Sequence, residues 1–437
     1  MFETIKNAFK IKEIRTKIVF TFLMLLVIRF GSQLPVPGVD RDYFSRWFAQ
    51  QTSDAFSLVD AFTGGSFLNM SVLALNITPY ITSSIIIQLL TIAIPKLEEM
   101  QKEGEEGRKK LVAITRYVTV ALALLESAAM AIGFGRQGLL ENYNVIGVIT
   151  IIATLTAGSA FLMWIGERIT DKGVGNGISI VLCINIISRI PQEIAALFKQ
   201  FVLGKSVAVG VLAAVIIIAI IVAMVVMVIL LNDAERRIPV QYARKIQGRR
   251  QVGGAQSSIP LKVNTAGVMP IIFASSIMEF PVVISTFVGY KGTGVWSEIL
   301  RYLSSQYWCN PAMPRYTIGL LVYVILLIFF AYFYTSITFN PIEIADNMKK
   351  NGGFIPGIRP GKPTSEYLNR ILNYIIFIGA CGLTIVGIVP FIFRGIFNAS
   401  VSFGGTSLII VVSVILETIK QIESMMLVRN YKAFLTD

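Results

Sequence analysis

The stretch NDAERRIPVQYARKIQGRRQVGGAQSSIPLKVNT, residues 232–265, is a hydrophilic island in an otherwise apolar chain. A second island, FNPIEIADNMKKNGGFIPGIRPGKPTSEYLNR, covers residues 339–370. Both are basic. The chain between them holds two long apolar runs, so both islands face the same side of a membrane if each run crosses it once. A simple solute carrier has little use for two large arginine-bearing loops on one face. A channel that docks a large partner does.

Composition agrees with a membrane setting. Of 437 residues, 54% are hydrophobic and 15% charged, against roughly 25% charged in soluble domains. The mean hydropathy is +0.68. A helix needs about 20 apolar residues to cross the hydrocarbon core. Ten candidates occur, at 18–37, 75–95, 112–133, 145–166, 175–197, 206–231, 266–288, 316–338, 368–392 and 403–423. The fifth is the weakest, because Arg189 and Pro191 cut it short. The first carries Arg29 and ends in Pro35-Val-Pro-Gly38 rather than at a small-residue cleavage site, so it reads as a span and not a signal peptide.

The net charge of +13 reports sidedness rather than nucleic acid. Lys and Arg cluster in the N-terminal segment, after spans two, four, six and eight, and in the tail, which together hold most of the 39 basic residues. That places both termini in the cytoplasm, and an error of one span would scramble the bias. Five spans per half means the halves enter the membrane from opposite sides, as an inverted repeat would. The expected fold is therefore an all-α polytopic membrane protein of ten helices. Its parts are an amphipathic N-terminal segment 1–17, an N-terminal half 18–200, a C-terminal half 201–425 and a tail 426–437.

Histidine is absent, which removes His-based catalysis and His-liganded metal sites. Cys183, Cys309 and Cys381 are too dispersed for a disulfide framework or a thiolate site. No enzyme, metal or cofactor is expected. The stretch Asp60-Ala-Phe-Thr-Gly-Gly-Ser-Phe-Leu-Asn-Met70 is too short and polar to span. It folds back into a protein-lined cavity or lies in the outer interface. Arg29 is costly at membrane depth, so it either snorkels to the interface or meets a partner subunit.

Several stretches together carry a family signature. They are Ile77-Thr-Pro-Tyr-Ile-Thr-Ser-Ser-Ile-Ile-Ile-Gln-Leu-Leu90, Glu103-Gly-Glu-Glu-Gly-Arg-Lys-Lys110, Gly173-Val-Gly-Asn-Gly-Ile-Ser-Ile180 and Gly248-Arg-Arg250 in the first part of the chain. Pro260-Leu-Lys-Val-Asn264, Asp346-Asn-Met-Lys-Lys350, Gly353-Phe-Ile-Pro-Gly-Ile-Arg-Pro-Gly361 and Phe403-Gly-Gly-Thr-Ser407 follow. In this order they resemble SecY, the channel subunit of the bacterial Sec translocase.

The resemblance implies two inverted halves around an hourglass pore, closed by a plug and opening sideways to lipid. It implies transport of unfolded preproteins bearing signal sequences through the bacterial inner membrane. The implied partners are SecE, SecG and, as cytoplasmic engines, the SecA ATPase or the ribosome. By motif position the pore ring is Ile77, Ile81, Ile178, Leu182, Ile272 and Ile410. The plug is Phe62, Thr63, Gly64, Gly65, Ser66 and Phe67. Gln88, Glu126 and Asn264 are the polar residues of a lateral gate formed by spans two, three, seven and eight, with Gln88 and Asn264 as a candidate pair. Arg249, Arg250 and Arg359 are the docking tips of the two basic loops. The competing class, an ion-coupled secondary solute transporter, would want acids at the midplane, where only Glu126 and Glu279 are placed.

Overall fold

The computed structural model describes residues 2–435, apart from 41–42, 45, 47–62, 141–142, 203–206, 243–244, 248–249, 253–255, 288–293, 306, 312 and 398–404. The first half contains α1 (Phe2–Lys10), α2 (Lys12–Gly31), α3 (Thr78–Ala93), α4 (Pro95–Lys102), α5 (Glu105–Arg136), α6 (Val145–Lys172) and α7 (Gly177–Phe201). The second contains α8 (Val207–Asp233), α9 (Met269–Phe287), α10 (Val295–Leu303), α11 (Ile318–Thr338), α12 (Pro341–Lys350), α13 (Lys362–Phe397) and α14 (Gly405–Leu435). Each of the ten expected spans overlaps one helix: α2, α3, α5, α6, α7, α8, α9, α11, α13 and α14.

Six helical stretches among the described residues are long and apolar enough to cross a membrane on their own, and a bent pair adds a seventh. That pair is α3 with α4, which turn by 102° at Ile94, just before Pro95. The helix α2 misses that standard through its charges, Lys12, Glu13, Arg15, Lys17 and Arg29. It ends at Gly31, earlier than the expected limit of 37. The chain turns there and reaches Pro35, which cannot continue a helix.

The fifth span is longer than its sequence suggests, because α7 runs through Pro191 to Phe201. Arg189 faces the opposite charge of Glu193 one turn later, 4.0 Å away, with both side chains largely buried. The N-terminal segment also differs from a helix lying free in the interface. It breaks near Ile11, and Ala8 and Ile14 bury against Val174 and Ile422.

The two basic islands are not plain loops. Strands β1 (Glu235–Tyr242), β2 (Lys245–Gln247), β3 (Arg250–Val252) and β4 (Gln256–Lys262) belong to the first, and β5 (Gly353–Phe354) to the second. β4, β1 and β5 form one antiparallel sheet in that order, so the islands are joined edge to edge. Ile238, Val240 and Leu261 face inward onto Met348, Ile355, Leu368 and Ile371. Pro239 and Pro260 would ordinarily argue against strands, since each removes a ladder donor. Here β5 pairs only with Gln241 and Tyr242, so Pro239 has a neighbour on one side only, and Pro260 lies on edge strand β4.

Within each half, the closest helix packing is α5 on α6 and α9 on α11. Across the halves, α7 packs extensively on α14, whereas α5 touches α9 lightly. One seam between the halves is thus firmer than the other.

Candidate functional site

All six ring positions fall in a single apolar cluster. Ile77, Leu182 and Ile410 are buried, and Ile81, Ile178 and Ile272 pack against them partly exposed. They come from α3 and its lead-in, α7, α9 and α14, two helices from each half. Local structure sets the four from the first half. Ile77 caps α3, and Ile81 follows one turn later on the same face. Asn176 caps α7 by accepting from the N–H groups of Ile178 and Ser179, at 3.2 and 3.4 Å, so Ile178 and Leu182 start that helix in a fixed direction. No charged residue belongs to the cluster. The arrangement is an apolar cluster to which both halves contribute.

The plug stretch sits inside the protein rather than in the interface. Phe62 lies outside the described residues. Thr63, Gly64, Ser66 and Phe67 are buried, and Gly65 is half-buried. Phe67 contributes to an aromatic cluster with Phe44 and Phe134, each ring centroid 6.4 Å away. Gly64 has φ +66°, and a Cβ there would lie 2.7 Å from the Asn185 carbonyl oxygen and 2.9 Å from the Ser188 hydroxyl. Only glycine lets the backbone come this close to α7.

Arg29 has partners within its own chain. Its guanidinium donates to the Gly64 carbonyl, at 3.4 Å from Nη2 and 3.5 Å from Nη1, and Nη1 reaches Asn185 Oδ1 at 3.4 Å. The Ser188 hydroxyl is 3.5 Å from the same carbonyl. Asn185 Nδ2 in turn donates to Asn76 Oδ1 at 2.9 Å. The Ser159 hydroxyl donates to the Asn76 carbonyl at 3.1 Å. The sequence marks Arg29 as anomalous but carries no signal for its partners, which lie 35 and 156 positions away.

The candidate gate pair is replaced by another. No hydrogen bond joins Gln88 and Asn264 among the described residues. Buried Asn264 instead donates to Asn232 Oδ1 at 2.8 Å, and Asn232 donates to the Ser413 hydroxyl at 2.7 Å. The reason is position: Asn264 follows β4 and Asn232 precedes β1, so the two close the neck of one hairpin. The bond from Val263 N–H to the Ala234 carbonyl, 2.8 Å, closes it further. Gln88 on α3 and Glu126 on α5 are each half-buried. These two helices are instead tied by the Ser83 and Thr119 hydroxyls, 2.5 Å apart.

Of the docking arginines, Arg249 lies outside the described residues, and Arg250 opens β3. Arg359 is exposed on the link between β5 and α13. Its backbone is held, because the Thr364 hydroxyl donates to the Arg359 carbonyl at 2.8 Å, and Ile358 N–H to the Ile355 carbonyl at 3.0 Å. Among the described residues there is no group of three or more acids, cysteines or histidines placed to hold a metal.

Two helical halves with several membrane-spanning helices, an apolar cluster between them and a backbone segment seated in the protein are those of a multi-pass membrane protein. The SecY family model matches residues 71–419. The "Protein translocase subunit SecY" of Streptomyces galbus is 42% identical over 456 residues, covering 100% of both chains. The chain belongs to the SecY family, which is a family of channel subunits and not of enzymes. Its fold is similar to that of "Sec61 in the Canine ribosome-channel complex from the endoplasmic reticulum", with TM-score 0.62 and 19% identity over 94% of this chain and 92% of that one. It is also similar to the structure titled "The plug domain of the SecY protein stablizes the closed state of the translocation channel and maintains a membrane seal", with TM-score 0.60 and 20% identity over 94% and 92%.

Proposed function

We propose that this chain forms the channel through which unfolded preproteins cross the bacterial cytoplasmic membrane, and from which transmembrane segments leave sideways into lipid. Family membership supports a translocation channel, and the ion-coupled transporter has no support. The observation that carries the mechanism is the convergence of Ile77, Ile81, Ile178, Leu182, Ile272 and Ile410 in one apolar cluster. Such a ring excludes water and ions when empty, yet can deform around a polypeptide without holding it. The Thr63–Phe67 stretch is the plug that covers the ring at rest. The lightly packed seam of α5 with α9 is the lateral gate.

The strand-bearing face is cytoplasmic, as are both termini. SecE and SecG flank the channel in the bilayer. The joined basic islands, with Arg249, Arg250 and Arg359, dock SecA or the ribosome. The relative in the canine ribosome-channel complex favours a ribosome among these partners. The β4-β1-β5 sheet joins the two islands, so Arg359, on the link after β5, is carried beside the first island, whose β2–β3 hairpin bears Arg250. The function is tested in proteoliposomes holding this chain with SecE and SecG. SecA-dependent, ATP-dependent protection of a preprotein from external protease is expected. Absence of protection with a fully assembled complex contradicts it.

A further inference from the structure

We propose that Arg29 is a positioning residue that latches the plug, and that the latch is geared to the pore ring through Asn185 and Asn76. The inference rests on the plug reading given above. Three observations carry it. The Gly64 carbonyl accepts from both terminal nitrogens of Arg29 and faces the Ser188 hydroxyl, all at 3.4–3.5 Å. Each bond lies at the long end of hydrogen-bond distances, so each is weak alone and the set can be released. The steric fit of Gly64 on Asn185 and Ser188 leaves no room for a side chain, so the seat accepts the plug in one arrangement.

The third observation is where the latch is anchored. Asn185 lies three residues after Leu182 on α7, and its partner Asn76 immediately precedes Ile77. Asn76 itself holds a left-handed backbone, φ +53°, that asparagine tolerates better than most residues. A chain that pushes Ile77 and Leu182 apart therefore strains the Asn76–Asn185 bond. It also moves the α7 surface on which Gly64 sits. Widening of the ring and loss of the plug seat become one event. Arg29 supplies the restoring contact, since its half-buried charge gains these acceptors only when the plug is home.

The test is single-channel conductance of the purified complex in planar bilayers, for wild type, Arg29→Gln, deletion of residues 62–69, and the two combined. Arg29→Gln is expected to raise the open fraction of the empty channel by about tenfold, the scale of losing a charged hydrogen bond. In the deletion background it is expected to add no further leak. Arg29→Lys keeps the charge but not the two-nitrogen grip, and falls between wild type and Arg29→Gln. If Arg29→Gln fails to assemble, Arg29→Lys is read by the same criterion. A sealed Arg29 variant beside a leaky deletion overturns the latch and leaves the plug standing. Extra leak from Arg29→Gln in the deletion background overturns it too, by showing that Arg29 acts elsewhere. A deletion that does not leak removes the plug reading, and the latch with it.

Discussion

Asn76 and Asn185 share a hydrogen bond of 2.9 Å between two buried side chains that are 109 positions apart. The bond fixes the start of α3 to the middle of α7, and each asparagine stands within one turn of a ring residue. A buried amide left without its partner costs about 1–3 kcal/mol. Ile77 and Leu182 are thus backed by a polar contact as well as by their apolar packing.

Gly64→Ala should unseat the plug. The substitution places a methyl 2.7 Å from backbone and forces φ +66° on a residue with a Cβ. The strain is about 1–3 kcal/mol and falls on the plug-in-place state. Ion flux through the empty channel is expected to rise. Gly65→Ala serves as a comparison: it shares the left-handed backbone, φ +84°, but its nearest neighbour is Asn69 Nδ2 at 3.8 Å. Equal flux in the two variants would show that strain alone, and not the seat, matters.

Serine at the six ring positions should make the resting constriction wettable. An apolar waist resists hydration, whereas hydroxyls stabilise a water column. Conductance in bilayers is expected to increase with the number of serines introduced. Conductance that stays at the wild-type level in the sixfold variant would remove the ring from the seal.

Asn264 and Asn232 should be energetically coupled, and Asn264 and Gln88 should not. A typical intramolecular hydrogen bond contributes about 0.5–1.5 kcal/mol. Double-mutant cycles on unfolding in detergent, using alanine at each site, measure both pairs. The expected coupling for Asn232–Asn264 lies in that range, with a value near zero for Gln88–Asn264. The reverse order would mean that the hairpin neck is tied differently in the membrane.

Arg359→Glu should weaken docking while leaving the channel folded. The side chain is exposed, and the turn that carries it is held through backbone atoms, so the reversal of charge leaves the fold intact. Affinity for SecA or ribosomes is expected to fall about tenfold at low salt and by less at high salt, since exposed charges are screened. Unchanged binding with lost transport would place Arg359 after docking.

Much of this architecture is visible in the sequence, for a physical reason. Apolar runs of about 20 residues favour helices long enough to cross, so each of the ten expected spans overlaps a helix. Aliphatic side chains carry no such signal. Ile77 or Ile410 looks like any packed isoleucine, and only the resemblance singles it out before the helices assemble. The polar contacts were the least legible, because they join distant segments: Arg29 to Gly64, Asn185 to Asn76, Asn264 to Asn232. The strands in the basic islands were hidden by Pro239 and Pro260, whose cost vanishes only at sheet edges.

The central claim is that the six-residue cluster is the passage for a polypeptide. The most direct measurement is crosslinking to a preprotein stalled midway. Single cysteines replace Ile81, Ile178, Ile272 and Ile410 in turn, and one cysteine is moved along the stalled chain. The account predicts disulfides from all four positions to the same short stretch of preprotein. Crosslinks that form from none of them, with the preprotein still protected from protease, would contradict it.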